Sequence, residues 1–274
     1  MSKDSTVIHS KANPLIQRVR QLVAGKCRDE LVLEGDRLVA DALSAGLRID
    51  VALVSADRAD KVRELQEQAS AGADGTSRIK EIVLVEPDLL GRVSGLKTSP
   101  GLIALCQPPL ERSLADCVAG PAPLVLVVAG ISDPGNLGAL ARSAEAAGAD
   151  ALVVVAGGAL PWSDKSLRGS MGSLLRLPVV RTDSADETAA ELAGLGLRQC
   201  IAATRGGTPF ERFRFQGPLA LWVGSETGEA PVVCASMEQI TIQMAGEVES
   251  LNVAVATSVL LFAAGRNVPT GGGD

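Results

Sequence analysis

One short segment carries the side chains that most readily suggest chemistry. It runs from Asp133 through Pro134, Gly135 and Asn136, and Arg142 follows six residues after Asn136. Arg142 would lie about two turns into a helix, from where its long side chain can reach back to the loop and help to bind a polar ligand. The alternative is a strand-to-helix turn in which Asp133 or Asn136 only caps the helix.

Two further loops are rich in glycine and hydrogen-bonding groups. In residues 224–228, Glu226 lies between two glycines directly after an apolar strand. A carboxylate there suits a ligand with a hydroxyl or a cation, although a tight turn with a solvated glutamate would have the same sequence. In residues 242–256, Asn252 and small residues begin an apolar helix, and the alternative is a core helix that is capped by Ser250.

Strands that alternate with helices are expected to position these loops. The six apolar residues Leu124–Ala129 are typical of a strand that is buried on both faces, and a helix is predicted over 137–147. Further strands are predicted at Leu152–Val155, Pro178–Val180, Cys200–Ala203, Leu219–Val223 and Gln239–Ile242, and a last helix at Leu251–Ala264. The pattern predicts an α/β domain with a mostly parallel sheet, in which ligands bind at the carboxyl ends of the strands.

A smaller α/β domain is predicted to precede this one. Its strands are expected at Leu31–Leu33, Ile49–Val54, Ile82–Val85 and Leu102–Cys106, and its helices at Asp36–Ala45 and Asp57–Ala69. Prolines then indicate a linker. The predicted division is a domain over 10–106, a linker over 107–121, a domain over 122–266 and a disordered tail over 267–274.

The histidine and cysteine contents exclude several kinds of site. The 274 residues include one histidine, His9, so Ser-His-Asp triads, histidine-ligated metals and a histidine general base are not expected. The five cysteines are scattered without C-x-x-C spacing, so we expect neither a metal nor disulfides. With no signal-like segment and no apolar stretch long enough for a membrane span, the sequence predicts a cytoplasmic protein.

The charge distribution is uneven. The formal net charge is −6 and aromatic residues make up only 2%, which counts against modules that stack bases on aromatic rings. Residues 1–28, however, contain six basic side chains and one acidic side chain. A basic N-terminal surface could bind phosphate, and an ordinary solvated helix face would explain the same residues.

Taken together, the three loops resemble the SpoU (TrmH-like) branch of the SPOUT methyltransferases. The motifs D-P-x-N-x-G-x-x-x-R, G-S-E-x-x-G and I-x-M-x-x-x-x-x-S-L-N-V-x-V-A occur in the family's order, and residues 165–172 are similar to its K-x-x-R-x-S-M-G segment. The resemblance covers about 122–266. More weakly, Asn13-Pro14 and Leu33-Glu34-Gly35 are similar to the family's ribosomal-protein-like (L30e-like) substrate-binding domain.

The resemblance implies an AdoMet-dependent RNA ribose 2′-O-methyltransferase with a deep C-terminal trefoil knot, a homodimer and 23S rRNA as the first choice of substrate. It implies catalytic or RNA-handling roles for Asn136, Arg142, Glu226, Ser250 and Asn252. It implies AdoMet contacts, largely through backbone groups, at Thr204, Gly224, Ile242, Met244 and Leu251. RNA contacts would come from basic residues, namely Arg18, Arg20, Lys26, Arg28, Lys165 and Arg168.

Two chemical roles can be considered for Arg142, a proton acceptor and a phosphate clamp. Proposals for the family treat this arginine as a general base, but a guanidinium with a pKa above about 12 is almost never neutral. We therefore expect Arg142 to clamp the phosphate beside the reacting ribose, with the hydroxyl proton passing to phosphate or water. Glu226 is expected to orient Arg142 or Asn136.

Several alternatives stay open at this stage. A tRNA ribose methyltransferase, a base methyltransferase of the same fold and a non-catalytic RNA-binding protein that retains the fold are the rival interpretations. Gln243 stands where the family usually has proline, so the rim of the cofactor site can differ. The target nucleotide, and whether its methylation confers antibiotic resistance, are not determined by the sequence.

Overall fold

The computed structural model describes residues 7–26, 29–69, 77–224 and 231–265. The chain divides into two compact units, Met1–Pro109 and Leu110–Asp274. The boundary falls within the predicted linker, 107–121, whose later part forms a short helix of the second unit. Among the residues described, no helix combines the length and apolarity that a membrane span needs.

The first unit is built on a four-stranded sheet in the order β1–β4–β2–β3. Strand β4 is antiparallel to β1 and β2, whereas β3 is parallel to β2. The elements in chain order are α1 (Pro14–Val23), β1 (Leu31–Glu34), α2 (Asp36–Ser44), β2 (Ile49–Ser55), α3 (Lys61–Ala69), β3 (Ile79–Val85), α4 (Pro87–Val93) and β4 (Leu102–Cys106). The four predicted strands are present, and β3 begins earlier than predicted.

The helices of this unit differ more from the prediction. Helices α1 and α4, which the apolar pattern does not predict, each begin with a proline that follows a capping side chain. In α1 the Oδ1 atom of Asn13 accepts from the amide of Leu15 at 2.9 Å. The Asn13-Pro14 pair is therefore a helix start, since proline at the first position loses no helical hydrogen bond. Helix α3 begins at Lys61 rather than Asp57, after a 3-10 turn at Ala56–Arg58.

The Leu33-Glu34-Gly35 segment also has a structural role in this unit. The carboxylate of Glu34 is buried, and it accepts from the Ser94 hydroxyl and, at 2.7 Å, from the Gly95 amide. These hydrogen bonds hold the turn that follows α4 against the end of β1. These hydrogen bonds offset the free-energy cost of removing the carboxylate from water.

The second unit is built on a seven-stranded parallel sheet in the order β7–β6–β5–β10–β8–β11–β9. Its elements in chain order are α5 (Leu114–Cys117), β5 (Leu124–Ala129), α6 (Pro134–Ala146), β6 (Ala151–Val155), α7 (Asp164–Ser170), α8 (Ser173–Arg176), β7 (Val179–Thr182), α9 (Ala185–Gly194), β8 (Arg198–Ala203), β9 (Thr208–Pro209), β10 (Leu219–Val223), β11 (Glu238–Thr241) and α10 (Val253–Gly265). The expected α/β fold with a parallel sheet is confirmed.

The strand order identifies where a ligand would bind in this sheet. Strands β5, β6 and β7 follow one another toward one edge, whereas β10 lies on the other side of β5. The chain order thus reverses between β5 and β10. In open α/β sheets ligands bind beyond the carboxyl ends of the strands at such a reversal. The loop before α6 and the loop after β10 both begin there.

Candidate functional site

A pocket of about 930 Å³ lies at the carboxyl ends of β8, β10 and β11, against the first turns of α10. Its volume is in the range of pockets that hold a small organic ligand. All five predicted AdoMet contacts line it, namely Thr204, Gly224, Ile242, Met244 and Leu251. Ser250 and Asn252 line it too, so the structure brings Gly224, the described residue of the second predicted loop, together with the third loop.

The floor of the pocket is apolar. Ile201, Val223, Ile240 and Leu260 contribute buried aliphatic side chains. Cys234, which the sequence did not single out, lies among them, and burial raises the pKa of its thiol to about 11. Because the thiol is neutral at ordinary pH, the floor carries no charge. It suits a flat, weakly polar ring whose polar edge meets the loop backbone.

Asp133 is the cap of α6, as the structural alternative predicted. Its Oδ1 atom accepts from the amide of Asn136 at 2.9 Å, and its Oδ2 atom accepts from the Lys165 ammonium at 2.5 Å. The Lys165 hydrogen bond and, after it, the Asn136 amide lower the pKa of Asp133. A negative charge at a helix N-terminus is favourable, so Asp133 remains ionised and anchors Lys165 beside the loop.

Asn252 joins this loop to the pocket. Its Oδ1 atom accepts from the amide of Ala254 at 2.9 Å, and its Nδ2 atom donates to the Oδ1 atom of Asn136 at 3.2 Å. The two ends of the amide cannot be exchanged, because only the oxygen can accept from a backbone N–H. Asn252 therefore caps α10, and Ser250, which the structural alternative named as the cap, does not. Helix α10 accordingly begins at Val253 rather than at Leu251.

The two roles of Asn252 can be separated by substitution. Asn252→Asp keeps an oxygen that caps α10 but loses the donor to Asn136, so we expect near-normal stability and at least about tenfold slowing of the methyl transfer that the motif resemblance implies. Asn252→Ala should lose the cap as well, at about 1 kcal/mol of stability. Thermal unfolding and single-turnover methylation measure the two effects. Equal methylation rates for Asn252→Asp and the wild type would show that the contact with Asn136 has no functional role.

Arg142 lies on the exposed side of α6, two turns after the loop. Within the described parts of the chain, its guanidinium makes no hydrogen bond or ion pair. Glu226, the predicted orienting carboxylate, lies outside the described residues, as does Arg28. The proposed contact between Glu226 and Arg142 therefore stays a prediction.

The segment 165–172 packs closely on α6 through glycines. A Cβ atom on Gly138 would lie 2.5 Å from the Ser166 carbonyl oxygen and 2.7 Å from the Ser170 nitrogen. A Cβ atom on Gly169 would lie 3.3 Å from the Gly135 carbonyl oxygen across the same contact. The glycine of the D-P-x-N-x-G motif is thus required for the approach of two helices. This requirement was not recognised from the sequence.

The basic residues predicted to contact RNA differ in their surroundings. The Arg18 guanidinium is paired with Glu30, with Nε at 2.7 Å from Oε2. Arg20 and Lys26 are exposed on and after α1. In the second unit Lys165 is paired with Asp133, and Arg168 is paired with Asp164 one turn earlier in α7.

Comparison with known proteins identifies the family. A family model described as the SpoU rRNA Methylase family matches residues 123–262, just over half of the chain, which include the pocket and the start of α6. The chain belongs to the SpoU rRNA methylase family. This confirms the resemblance that the ordered loop motifs indicated.

Individual SpoU relatives match nearly the whole chain. The chain is 31% identical to the 23S rRNA (guanosine(2553)-2′-O)-methyltransferase RlmP of Bacillus subtilis, over 93% of this chain and 97% of that protein. It is also 31% identical to an uncharacterized tRNA/rRNA methyltransferase of Synechocystis, over 97% of this chain and 96% of that protein. The crystal structure of the SpoU methyltransferase AviRb from Streptomyces viridochromogenes, in complex with AdoMet, superposes with a TM-score of 0.80 at 27% identity and covers 93% of this chain and 97% of AviRb.

Proposed function

We propose that the protein transfers the methyl group of AdoMet to a ribose 2′-hydroxyl of 23S rRNA. The observation that carries the proposal is the hydrogen bond between Asn252 and Asn136, because it joins the pocket to the loop that begins α6. The small-molecule pocket and the polar surface of α6 that carries Arg142 thus meet at the side-chain amides of Asn252 and Asn136. RlmP, a 23S rRNA 2′-O-methyltransferase, supports the same substrate class, and AviRb, a SpoU methyltransferase in complex with AdoMet, supports the same methyl donor.

The pocket residues fit AdoMet. The uncharged apolar floor suits the adenine ring, and the loops at Thr204, Gly224, Ile242, Met244 and Leu251 offer backbone groups to its polar edge and to the ribose. When bound, AdoMet supplies an electrophilic methyl group on a sulfonium ion. Within the described residues no cluster of histidine, cysteine and carboxylate side chains could hold a metal ion, so the proposal assigns no residue to one.

The protein's own contribution is to position the RNA. Arg142 clamps the phosphate next to the target ribose through its planar fork of donors, and Asn136 holds the loop in place through Asn252. Ser250 and Asn252 shape the side of the pocket that faces the ribose. Holding the hydroxyl in line with the methyl group supplies much of the rate, and its proton passes to phosphate or water.

We assign the selection of RNA to the first unit, with the domain boundaries predicted from the sequence, 10–106. The matched region of RlmP covers more of this chain than the second unit alone, which favours 23S rRNA over tRNA. In this proposal the unit is the L30e-like substrate-binding domain. Its RNA contacts come from the basic side chains at its start, Arg18, Arg20, Lys26 and Arg28.

The proposal includes the trefoil knot of the family. Two observations support it. Strand β10 lies between β5 and β8 although it follows both in the chain, and α10 returns to α6, where the Ser143 and Ser258 hydroxyl oxygens are 2.6 Å apart. A late strand between earlier ones and a last helix that packs on α6 are both features that such a knot requires.

The proposal also includes a homodimer, formed through α10. The thirteen residues of this helix carry no charged side chain, and all but Thr257 and Ser258 are apolar or glycine, which is typical of a helix that is covered all round. Val255 and Phe262, two turns apart, are nevertheless 51% and 47% exposed. A second copy of the chain would cover these side chains by the same face of its own α10, as two-fold symmetry requires.

Charge on this face should prevent association. We expect Phe262→Asp to be a monomer at micromolar concentrations where the wild type is a dimer, because a carboxylate would be buried without a partner. Sedimentation equilibrium measures the change. Leu110→Asp, at an apolar position that is 92% exposed outside α10, is the matched control and should remain dimeric. A dimeric Phe262→Asp variant would assign the interface to another surface.

Methyl transfer itself is the direct test of the proposed function. Labelled AdoMet is incubated with the protein and with 23S rRNA, 50S subunits or tRNA, and alkali-resistant phosphodiester bonds are mapped, since 2′-O-methylation creates them. We expect one resistant bond in 23S rRNA. Label on tRNA alone would favour the tRNA alternative, label without a resistant bond would favour a base methyltransferase, and no incorporation would favour a non-catalytic RNA-binding protein.

A further inference from the structure

Arg205 is the one charged side chain among the described residues that line the pocket. The other described lining residues are apolar, are glycine or carry neutral polar groups. Arg205 follows Thr204 directly after β8, and its side chain is 79% exposed, so it lies at the rim rather than on the floor. No family motif described above includes it, and none of the site residues predicted from the sequence is Arg205.

A carboxylate already lies near this guanidinium. The Nη2 atom of Arg205 is 3.8 Å from the Oε1 atom of Glu249, whose neighbour Ser250 also lines the pocket. The ion pair thus spans the mouth of the pocket, between the loop after β8 and the loop before α10. Both side chains are largely exposed, so the pair is weak, and another carboxylate can replace Glu249 at little cost.

The methionine end of AdoMet offers such a carboxylate. AdoMet carries a sulfonium, an ammonium and one carboxylate, and the apolar floor offers nothing that compensates a negative charge. The donor fork of arginine matches a carboxylate in geometry as well as in charge. We propose that Arg205 binds the carboxylate of the methionine end of AdoMet and so selects ligands that carry an intact amino acid. This inference rests on the proposed function.

Two ligands separate this role from general effects on the pocket. S-adenosylhomocysteine retains the amino acid, whereas 5′-methylthioadenosine retains the nucleoside and the sulfur but has no carboxylate. Isothermal titration of both ligands with the full-length protein measures the selectivity. We expect Arg205→Gln to weaken S-adenosylhomocysteine binding by about tenfold, which is near the lower end for a lost hydrogen bond to a charged group because Arg205 is largely exposed. The affinity for 5′-methylthioadenosine should not change.

Three further variants control the result. Arg205→Lys keeps the charge, and its affinity for S-adenosylhomocysteine should lie between those of Arg205→Gln and the wild type. Arg212→Gln removes an exposed arginine that does not line the pocket and should bind both ligands normally. Glu249→Gln removes the competing carboxylate and should not weaken binding. If Glu249→Gln weakened the binding of S-adenosylhomocysteine as much as Arg205→Gln does, the ion pair would only support the loops, and the inference would be wrong.

The remaining outcomes are also distinguishable. Equal losses for both ligands in Arg205→Gln would mean a distorted pocket, and unchanged affinity for S-adenosylhomocysteine would mean that Arg205 does not contact it. Either result overturns the inference and leaves the proposed function standing. A wild-type protein that binds neither ligand would overturn the proposed function together with the inference.

Discussion

Arg142→Ala is expected to slow methyl transfer to 23S rRNA by about a hundredfold or more and to leave the affinity for AdoMet unchanged. The first part follows from the loss of a positioning contact, since small displacements of reacting groups can cost about that factor. The second part follows because Arg142 does not line the pocket. Single-turnover methylation and calorimetry measure the two quantities. Near-normal methylation by Arg142→Ala would remove this residue from the mechanism.

The lysine variant distinguishes the clamp from a general base. Arg142→Lys keeps one positive charge but loses the fork of donors, so a clamp predicts a rate between those of the alanine variant and the wild type. A base role predicts instead that the lysine rate rises steeply toward a pH of about 10.4, where a lysine loses its proton. Arg212→Ala serves as the control for the loss of an exposed arginine elsewhere in the second unit.

Gly138→Ala is expected to destabilise the second unit by about 3 kcal/mol or to prevent its folding. Overpacking typically costs about 1–3 kcal/mol, and here the added methyl meets backbone atoms that cannot rotate away. Both tryptophans, Trp162 and Trp222, belong to the second unit, so their fluorescence in a urea titration reports its unfolding.

Two other glycines provide a graded comparison. At Gly169 the nearest atom to an added Cβ is 3.3 Å away, so Gly169→Ala should cost less than Gly138→Ala. At Gly194, the last residue of α9, nothing lies within 4 Å, and alanine there should be neutral or slightly stabilising. If the three variants had the same free energy of unfolding, the close contact between α6 and α7 would not be the reason for glycine at position 138.

The parts of the fold that depend on local composition were predictable. Strands β5 and β10 have the predicted limits, because unbroken apolar runs are bounded by glycine or proline. The starts of α6 and α10 were placed three and two residues from their true positions. Each start depends on which side chain accepts a hydrogen bond from the first free amides of the helix. Asp133 does so in α6 and Asn252 in α10, and several neighbours of each could have done the same.

The site was predictable only where a motif marked it. The residues that line the pocket come from loops after β8, β10 and β11, which are neighbours only because the sheet order makes them so. No local pattern shows that β10 lies between β5 and β8. Arg205 and Cys234 were missed for this reason, since each is an ordinary residue in its own segment. The hydrogen bond between Asn136 and Asn252 spans 116 residues and has no local signature either.

The shared amide of Asn252 has a thermodynamic consequence. The side chain lines the pocket and at the same time fixes Asn136 in the loop before α6, so a ligand that orders it on one side also orders the other side. The two binding events are then linked, and the linkage is reciprocal. Whatever factor AdoMet adds to the affinity for RNA, the RNA must add to the affinity for AdoMet.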